Sequence, residues 1–306
     1  MSRFFMLIFF VLLAATVLSQ PAAIPGTPDI SASPVHTSSA DEAFRYLDSI
    51  GPLPRSKHWP NVRPQLFIDN IKLNIEKPAS IYPGRETNFC GYGAISYLLL
   101  NDDPLGYAKL MYSLYTEGRA VYRGVKFNPS ARVKKASGTL RFKGVLDIRP
   151  AEQLWYLCLA DHYKGYLNFF NRRYDPGDEN TMWAAVNYAK FNRMARQLLH
   201  YNVKARGSDL VRPNLLHPDA YINEKLQSGT VVLYLNNRIL HKKKLDKIKI
   251  QIPTHYVVLH WIYRDDHSVT IRYWDYGSQT LRQVHPEFFK RLVFGISYCT
   301  KKNKDE

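Results

Sequence analysis

The chain has little cysteine: Cys90, Cys158 and Cys299 are the only three in 306 residues, and no Cys-x-x-Cys pair occurs. That pattern excludes a disulfide-dense scaffold and a structural zinc site. An odd count leaves at least one thiol unpaired. Cys158 and Cys299 could join and leave Cys90 free, or both could be buried thiols. Acidic residues are also scarce, 26 Asp and Glu against 42 Lys and Arg, for a formal net charge of +16. Such a charge favours dwelling near anionic surfaces or polymers, whether cell-wall material, lipid head groups or nucleic acid, and selects none of them. No internal repeat is present, and after the first residues no second long apolar run appears.

What is there begins with an export signal. Arg3 provides a positive start, Phe4 to Leu18 form an apolar run of about 15 residues, and Ser19, Gln20, Pro21, Ala22 and Ala23 follow. The run is shorter than the roughly 20 residues that span a bilayer, which favours a cleaved signal peptide over a membrane anchor. Val17 and Ser19 fit the −3 and −1 positions, so cleavage is expected after Ser19. The expected organisation is a signal peptide at 1–19, a flexible leader rich in Pro, Ser, Thr and Ala at 20–40, and one domain at 41–306. No transmembrane segment is expected after cleavage, and the expected location is secreted or periplasmic.

Within the domain, Ser39-Ala40-Asp41-Glu42 reads as a helix start, with its acidic pair in the first turn. Residues 51–88 carry seven helix-breaking Pro and Gly positions after Gly51 and read as a long ordered loop, with one short helix at Gln65–Asn74. From Cys90 the apolar residues fit a buried helix ending near Asn101-Asp102-Asp103-Pro104. Further helices are expected over Leu105–Glu117, Pro150–Asn171 and Glu179–Tyr201, with a basic loop or hairpin at Val121–Ile148. The period then changes. Thr230–Asn236, His255–Tyr263 and Val269–Trp274 are β-branched and aromatic runs bounded by turn residues, as strands are. The order predicts an α+β fold: a nucleophile helix and a helical region packed on a C-terminal antiparallel sheet.

Three residue types in that order carry chemistry. A thiol attacks an amide or ester as thiolate, and three things help it: a helix N-terminus, an imidazole within reach, and a group that orients the imidazole. Cys90 opens the expected helix, where the macrodipole favours an anion and its own N–H can donate to an oxyanion. Gly91 and Gly93 are expected to keep the approach to the sulfur open. His255 opens a strand, and is preferred to His260, which has the opposite side-chain parity. Asp275, at the end of the next strand, is placed to accept from the imidazole Nδ1–H. Each residue has a bland alternative: a small core residue, an exposed strand-end imidazole, a turn Asp before Gly277. Their joint occurrence favours the catalytic reading.

These motifs, Phe89-Cys90-Gly91 at a helix start, His255-Tyr256-Val257-Val258-Leu259 on a strand and Trp274-Asp275-Tyr276-Gly277 at a strand end, resemble the papain-like cysteine peptidase superfamily. The texture is similar to that of its bacterial members, among them bacteriocin-processing peptidases and cell-wall amidases delivered as antibacterial effectors. The resemblance covers about 45 residues and implies a Cys90-His255-Asp275 triad cutting amide bonds through an acyl-enzyme thioester, with no metal or organic cofactor. It implies peptidoglycan stem peptide or protein as substrate, and an inhibitor or immunity protein as partner. One departure is clear. The family often places a Gln several residues before the nucleophile, and 81–89 contains none. Asn88, with Thr87 beside it, is the expected substitute donor.

The basic run from Arg238 to Lys249 reads as a solvated hairpin and, alternatively, as a patch for anionic polymer. It lacks interleaved aromatics, which argues against nucleic acid. Trp155, Trp183 and Trp261 read as core, and Trp274 as the aromatic nearest the site. The competing functions are a non-catalytic secreted binding protein on the same fold and an acyltransferase, in which an amine resolves the thioester. A basic nuclease is disfavoured for want of a phosphate-cleaving constellation.

Overall fold

A computed structural model describes residues 36–141, 148–169, 171–237 and 252–302. The expected signal peptide, most of the expected leader and the basic run at 238–249 lie outside the described residues. The fold is α+β. Nine helices and two antiparallel sheets, of six and two strands, occur among the described residues. The helices are α1 (Ala40–Ser49), α2 (Pro64–Glu76), α3 (Cys90–Asp102), α4 (Pro104–Glu117), α5 (Ala131–Ala136), α6 (Pro150–His162), α7 (Tyr188–Leu198), α8 (Pro218–Leu226) and α9 (Pro286–Leu292). The strands are β1 (Ala120–Tyr122), β2 (Val125–Phe127), β3 (Tyr201–Gly207), β4 (Thr230–Leu235), β5 (His255–Arg264), β6 (Val269–Asp275), β7 (Ser278–Val284) and β8 (Val293–Lys301).

The chain is tied down ahead of its first helix. Thr37 N–H donates to the Asp102 carbonyl at 2.7 Å, and Ser38 Oγ donates to the Asp103 carboxylate at 2.6 Å. The end of the expected leader is therefore fixed to the α3–α4 junction. Ser39 then caps α1 in a reciprocal box with Glu42, as the Ser-x-x-Glu spacing predicts. At that same junction Arg123 reaches both Asp102 and Asp103, so the two carboxylates that end α3 are neutralised where they are buried.

The large sheet runs β3-β8-β4-β5-β6-β7, every pairing antiparallel. Alternate residues serve two cores, as strand periodicity requires. Val232, Tyr234, Tyr256, Val258, Trp274 and Phe294 join α3, α4, α6 and α7. Val231, Leu233, Val257, Leu259, Ile271 and Tyr273 pack with Ile222 of α8 and Phe289 and Leu292 of α9. Helix α3 is buried all round from Gly91 to Leu100, the pattern of a helix enclosed by other elements. Under it Phe191, Tyr256, Tyr234 and Tyr188 form a stack with centroid spacings of 4.5, 4.3 and 5.8 Å.

Two helices are shorter than their sequence pattern. Helix α6 stops at His162, because Asn168 turns the chain: its Oδ1 accepts from Gly165 N–H, and its Nδ2 donates to the Trp183 carbonyl at 2.6 Å. Helix α7 begins only at Tyr188, where Asn187 accepts from Lys190 N–H. Residues 179–187, expected to be helical, are instead a 3-10 turn and a loop that reaches the site. Strands β3, β7 and β8 and helices α8 and α9 complete the final third without having been anticipated. No helix among the described residues is long and apolar enough to cross a membrane.

Candidate active site

The start of α3 is held from both sides. Thr87 Oγ1 accepts from Phe89 N–H at 3.2 Å and donates to the Pro83 carbonyl at 2.6 Å, which folds the turn before the helix. The N-cap, Phe89, provides no capping side chain. The first-turn N–H groups of Cys90 and Gly91 lie beyond intrahelical reach and point out of the helix start. Cys90 is half-buried there, and its thiol donates to the Thr254 carbonyl at 3.6 Å.

His255 is the next residue, so the thiol and the imidazole are joined across the sheet end through one peptide. The β5–β6 register pairs Leu259 with Tyr273, which puts His255 and Asp275 on the same side of the sheet at its open end. His255 Nε2 bonds Asp275 Oδ2 at 3.2 Å, and Asp275 Oδ1 accepts from Thr280 Oγ1 at 3.1 Å. The expected contact was Nδ1. The structure gives Asp275 the other nitrogen, because the strand pairing brings the carboxylate to the far edge of the ring. Nδ1 is buried and has no hydrogen-bond partner among the described residues. With Nε2 taken, Nδ1 is the atom left for Cys90.

Burial works against a charged imidazole here, and it is outweighed by the hydrogen bond to Asp275 and by the Cys90 sulfur beside the ring. The His255 proton affinity rises from the ordinary histidine value of 6.5 to about 9. His255 is 1% exposed and Asp275 6%, so this pairing operates away from bulk water. The sign of the linkage follows. Stabilisation from the protonated ring is fully present below the ordinary histidine range and is lost as the pH rises through about 9.

Tyr276 was not anticipated. Its ring stacks on His255 with centroids 4.6 Å apart and planes 12° from parallel. It sits in the two-residue β6–β7 turn with φ +40°, beside Gly277 at φ +81°, a turn that needs positive φ at both positions. A tyrosine there is strained, and the strain holds a flat ring against the imidazole. Trp274, expected nearest the site, stacks instead on Tyr97 of α3 and donates from Nε1 to the Ala79 carbonyl. His260 also faces Tyr97, with Nε2 3.3 Å from its hydroxyl, and burial followed by Arg272 lowers its proton affinity to about 4.

Asn88, expected as a substitute oxyanion donor, bonds the loop that follows Asp178. Its backbone N–H donates to the Glu179 carbonyl and its Nδ2 to the Thr181 carbonyl, each at 2.8 Å, which brings the 178–187 loop alongside the start of α3. Cys158 and Cys299 are separate buried thiols, so no disulfide joins them. Burial pushes the Cys158 thiol well up and Cys299 to about 12, which makes both inert.

The glycines beside Cys90 have a different role from the one expected of them. A Cβ on Gly91 would lie 2.8 Å from Val186 Cγ1, and one on Gly93 3.0 Å from Pro83 Cβ. They permit close packing of the helix start; they do not open the sulfur. Val186 cannot yield easily, since Tyr256 Oη holds its carbonyl at 3.2 Å. Gly91→Ala is therefore expected to lose about 1–2 kcal/mol, overpacking offset in part by the better helix former. Urea unfolding measures this, and an unchanged or raised midpoint would refute the close packing.

No protein-family model, curated protein or solved structure matches the chain. Nor does any group of three or more His, Cys, Asp or Glu among the described residues stand close enough to hold a metal ion.

Proposed function

We propose that this protein is an exported cysteine hydrolase of papain-like type that cleaves amide bonds through Cys90, His255 and Asp275. The observation that carries this reading is the asymmetric use of one imidazole: Asp275 on Nε2, and the sulfur of a thiol at a helix start beside the ring, with Nδ1 the nitrogen left to it.

In this mechanism His255 Nδ1 takes the Cys90 proton, and the sulfur attacks the carbonyl carbon. Charge developing on the carbonyl oxygen meets the helix N-terminus, where the Cys90 and Gly91 N–H groups donate. His255 then protonates the leaving amine and the carbon–nitrogen bond breaks, leaving a thioester. Water, deprotonated by His255, attacks the thioester and returns the thiol. Asp275 stabilises the imidazolium that forms in each half-reaction.

The proposed substrate is a peptide, either a peptidoglycan stem peptide or a protein. Purified sacculi and casein, each incubated with wild type and with Cys90→Ala, test this. New muropeptides or new casein fragments from wild type alone are expected. Equal products from both proteins, or none from either, would favour a binding protein on this scaffold.

A further inference from the structure

Beyond the triad, one half-buried carboxylate stands without a cation to answer it. Asp209 lies just past the end of β3 and is half-buried. Its Oδ1 accepts from Tyr188 N–H at 3.0 Å, at the first turn of α7. The hydroxyls of Tyr166 and Tyr234 face the carboxylate, and beyond burial it helps raise the proton affinity of both phenols. The same Tyr234 hydroxyl donates to the Pro253 carbonyl at 3.3 Å, and the next carbonyl along the chain, that of Thr254, is the one that meets Cys90 Sγ. Tyr234 and Tyr256 feel both Asp209 and Cys90. The carboxylate is thus one tyrosine away from the nucleophile.

Its setting differs from that of three other buried acids. Asp102 and Asp103 are paired with Arg123, and Asp219 with Arg264. No Lys, Arg or His among the described residues pairs with Asp209, in a chain whose net charge is +16. Tyr166 is 59% exposed, so the carboxylate is walled by a phenol that solvent reaches. A carboxylate without a cation, beside a phenol that solvent reaches, is suited to an ammonium group, which gains charge-assisted hydrogen bonding.

We propose that Asp209 is a substrate-binding residue, holding an ammonium group of the substrate next to the carbonyl that Cys90 attacks. This rests on the reading of Cys90 and His255 as a nucleophile pair. The ammonium is either the free α-ammonium of a short peptide or the side chain of a lysine-type residue. Both place a cation within a few bonds of the scissile amide.

Three methanethiosulfonates test the field at the sulfur: the neutral methyl reagent, the cationic trimethylammonioethyl reagent and the anionic sulfonatoethyl reagent. In each, Cys90 sulfur attacks the sulfenyl sulfur, a disulfide forms and methanesulfinate leaves. Mass spectrometry of the Cys90 peptide gives the rates, with the charged ones normalised to the neutral one for each variant. Wild type is expected to favour the cation over the anion, opposite to the direction the net charge imposes. Asp209→Asn keeps the acceptor for Tyr188 N–H and should lower that preference about tenfold, the scale of one unit charge acting over several ångströms near the surface. Asp209→Glu should keep most of it.

A preference unchanged by Asp209→Asn overturns the proposal while leaving the nucleophile pair intact. A neutral rate no faster than that of free cysteine, and unaffected by His255→Ala, overturns the nucleophile reading and the proposal with it. Two chloromethyl ketones separate the sources: alanyl-alanyl with a free α-ammonium, and acetyl-lysyl with a side-chain ammonium. In each, Cys90 sulfur displaces chloride from the methylene carbon. The source is the ammonium that makes its reagent faster than the acetylated counterpart in wild type and not in Asp209→Asn. If neither reagent behaves so, the proposal fails.

Discussion

His255→Ala should lower kcat/KM by about 10²–10⁴-fold toward any amide that the wild type cleaves, the usual range for removing a positioned acid–base group. The size follows from the ring's two duties. In the proposed mechanism it takes the thiol proton before attack and returns one to the amine that leaves, so its removal should slow both halves of the reaction. No neighbour can replace it. His260 lies five residues along the same strand, but its ring is spent on Tyr97, and its proton affinity is lowered to about 4. The thiol itself keeps its acceptor at the Thr254 carbonyl, which belongs to the backbone and survives the substitution. A loss below about threefold, measured on the same substrate at the same pH, would remove His255 from the mechanism.

Asp275→Asn should change the pH dependence as well as the rate. In wild type the raised affinity of His255 is expected to place the alkaline limb of kcat/KM near pH 9. Asparagine keeps an oxygen that can accept from Nε2–H but carries no charge. Burial, which opposes the imidazolium, then has less against it. The alkaline limb should therefore move down by at least one pH unit, and activity at neutral pH should fall with it. Substitution of Thr280 by valine provides a milder version, since it removes only the hydrogen bond to Asp275 Oδ1. The full kcat/KM profile between pH 5 and 10 checks both variants. An alkaline limb that stays in place in Asp275→Asn would mean that the carboxylate does not hold the imidazolium.

The parts of the site legible in the sequence were those carried by local pattern. The run after Cys90 is apolar on every side, so a buried helix beginning there could be read directly, and β5 and β6 declared themselves by β-branched and aromatic content. Their pairing then brought Asp275 back to His255. What escaped depended on tertiary contacts. Strand β8 lies inside the sheet yet follows α9 with no turn residue between them, so no local punctuation marked it. Strand β7 is a polar edge strand whose exposed Ser278, Gln279 and Gln283 resemble a loop. Helix α6 ended early where Asn168 bonds the Trp183 carbonyl, which only the folded chain supplies, while α7 started late at a local cap, Asn187, that the periodic reading passed over. Chain order could not say which imidazole nitrogen meets Asp275. Nor could it reveal Tyr276 against His255 or Asp209 beside Tyr234, since each pairing spans many residues or rests on a strained turn.

The central claim is that His255 makes Cys90 reactive. Iodoacetamide alkylation of Cys90 at pH 7, followed by mass spectrometry of its peptide in wild type and His255→Ala, tests it without any knowledge of the substrate. The account predicts rapid modification of Cys90 in wild type, at least tenfold slower modification in the variant, and almost none at the buried Cys158 and Cys299 in either. Equal rates at Cys90 in the two proteins would contradict it.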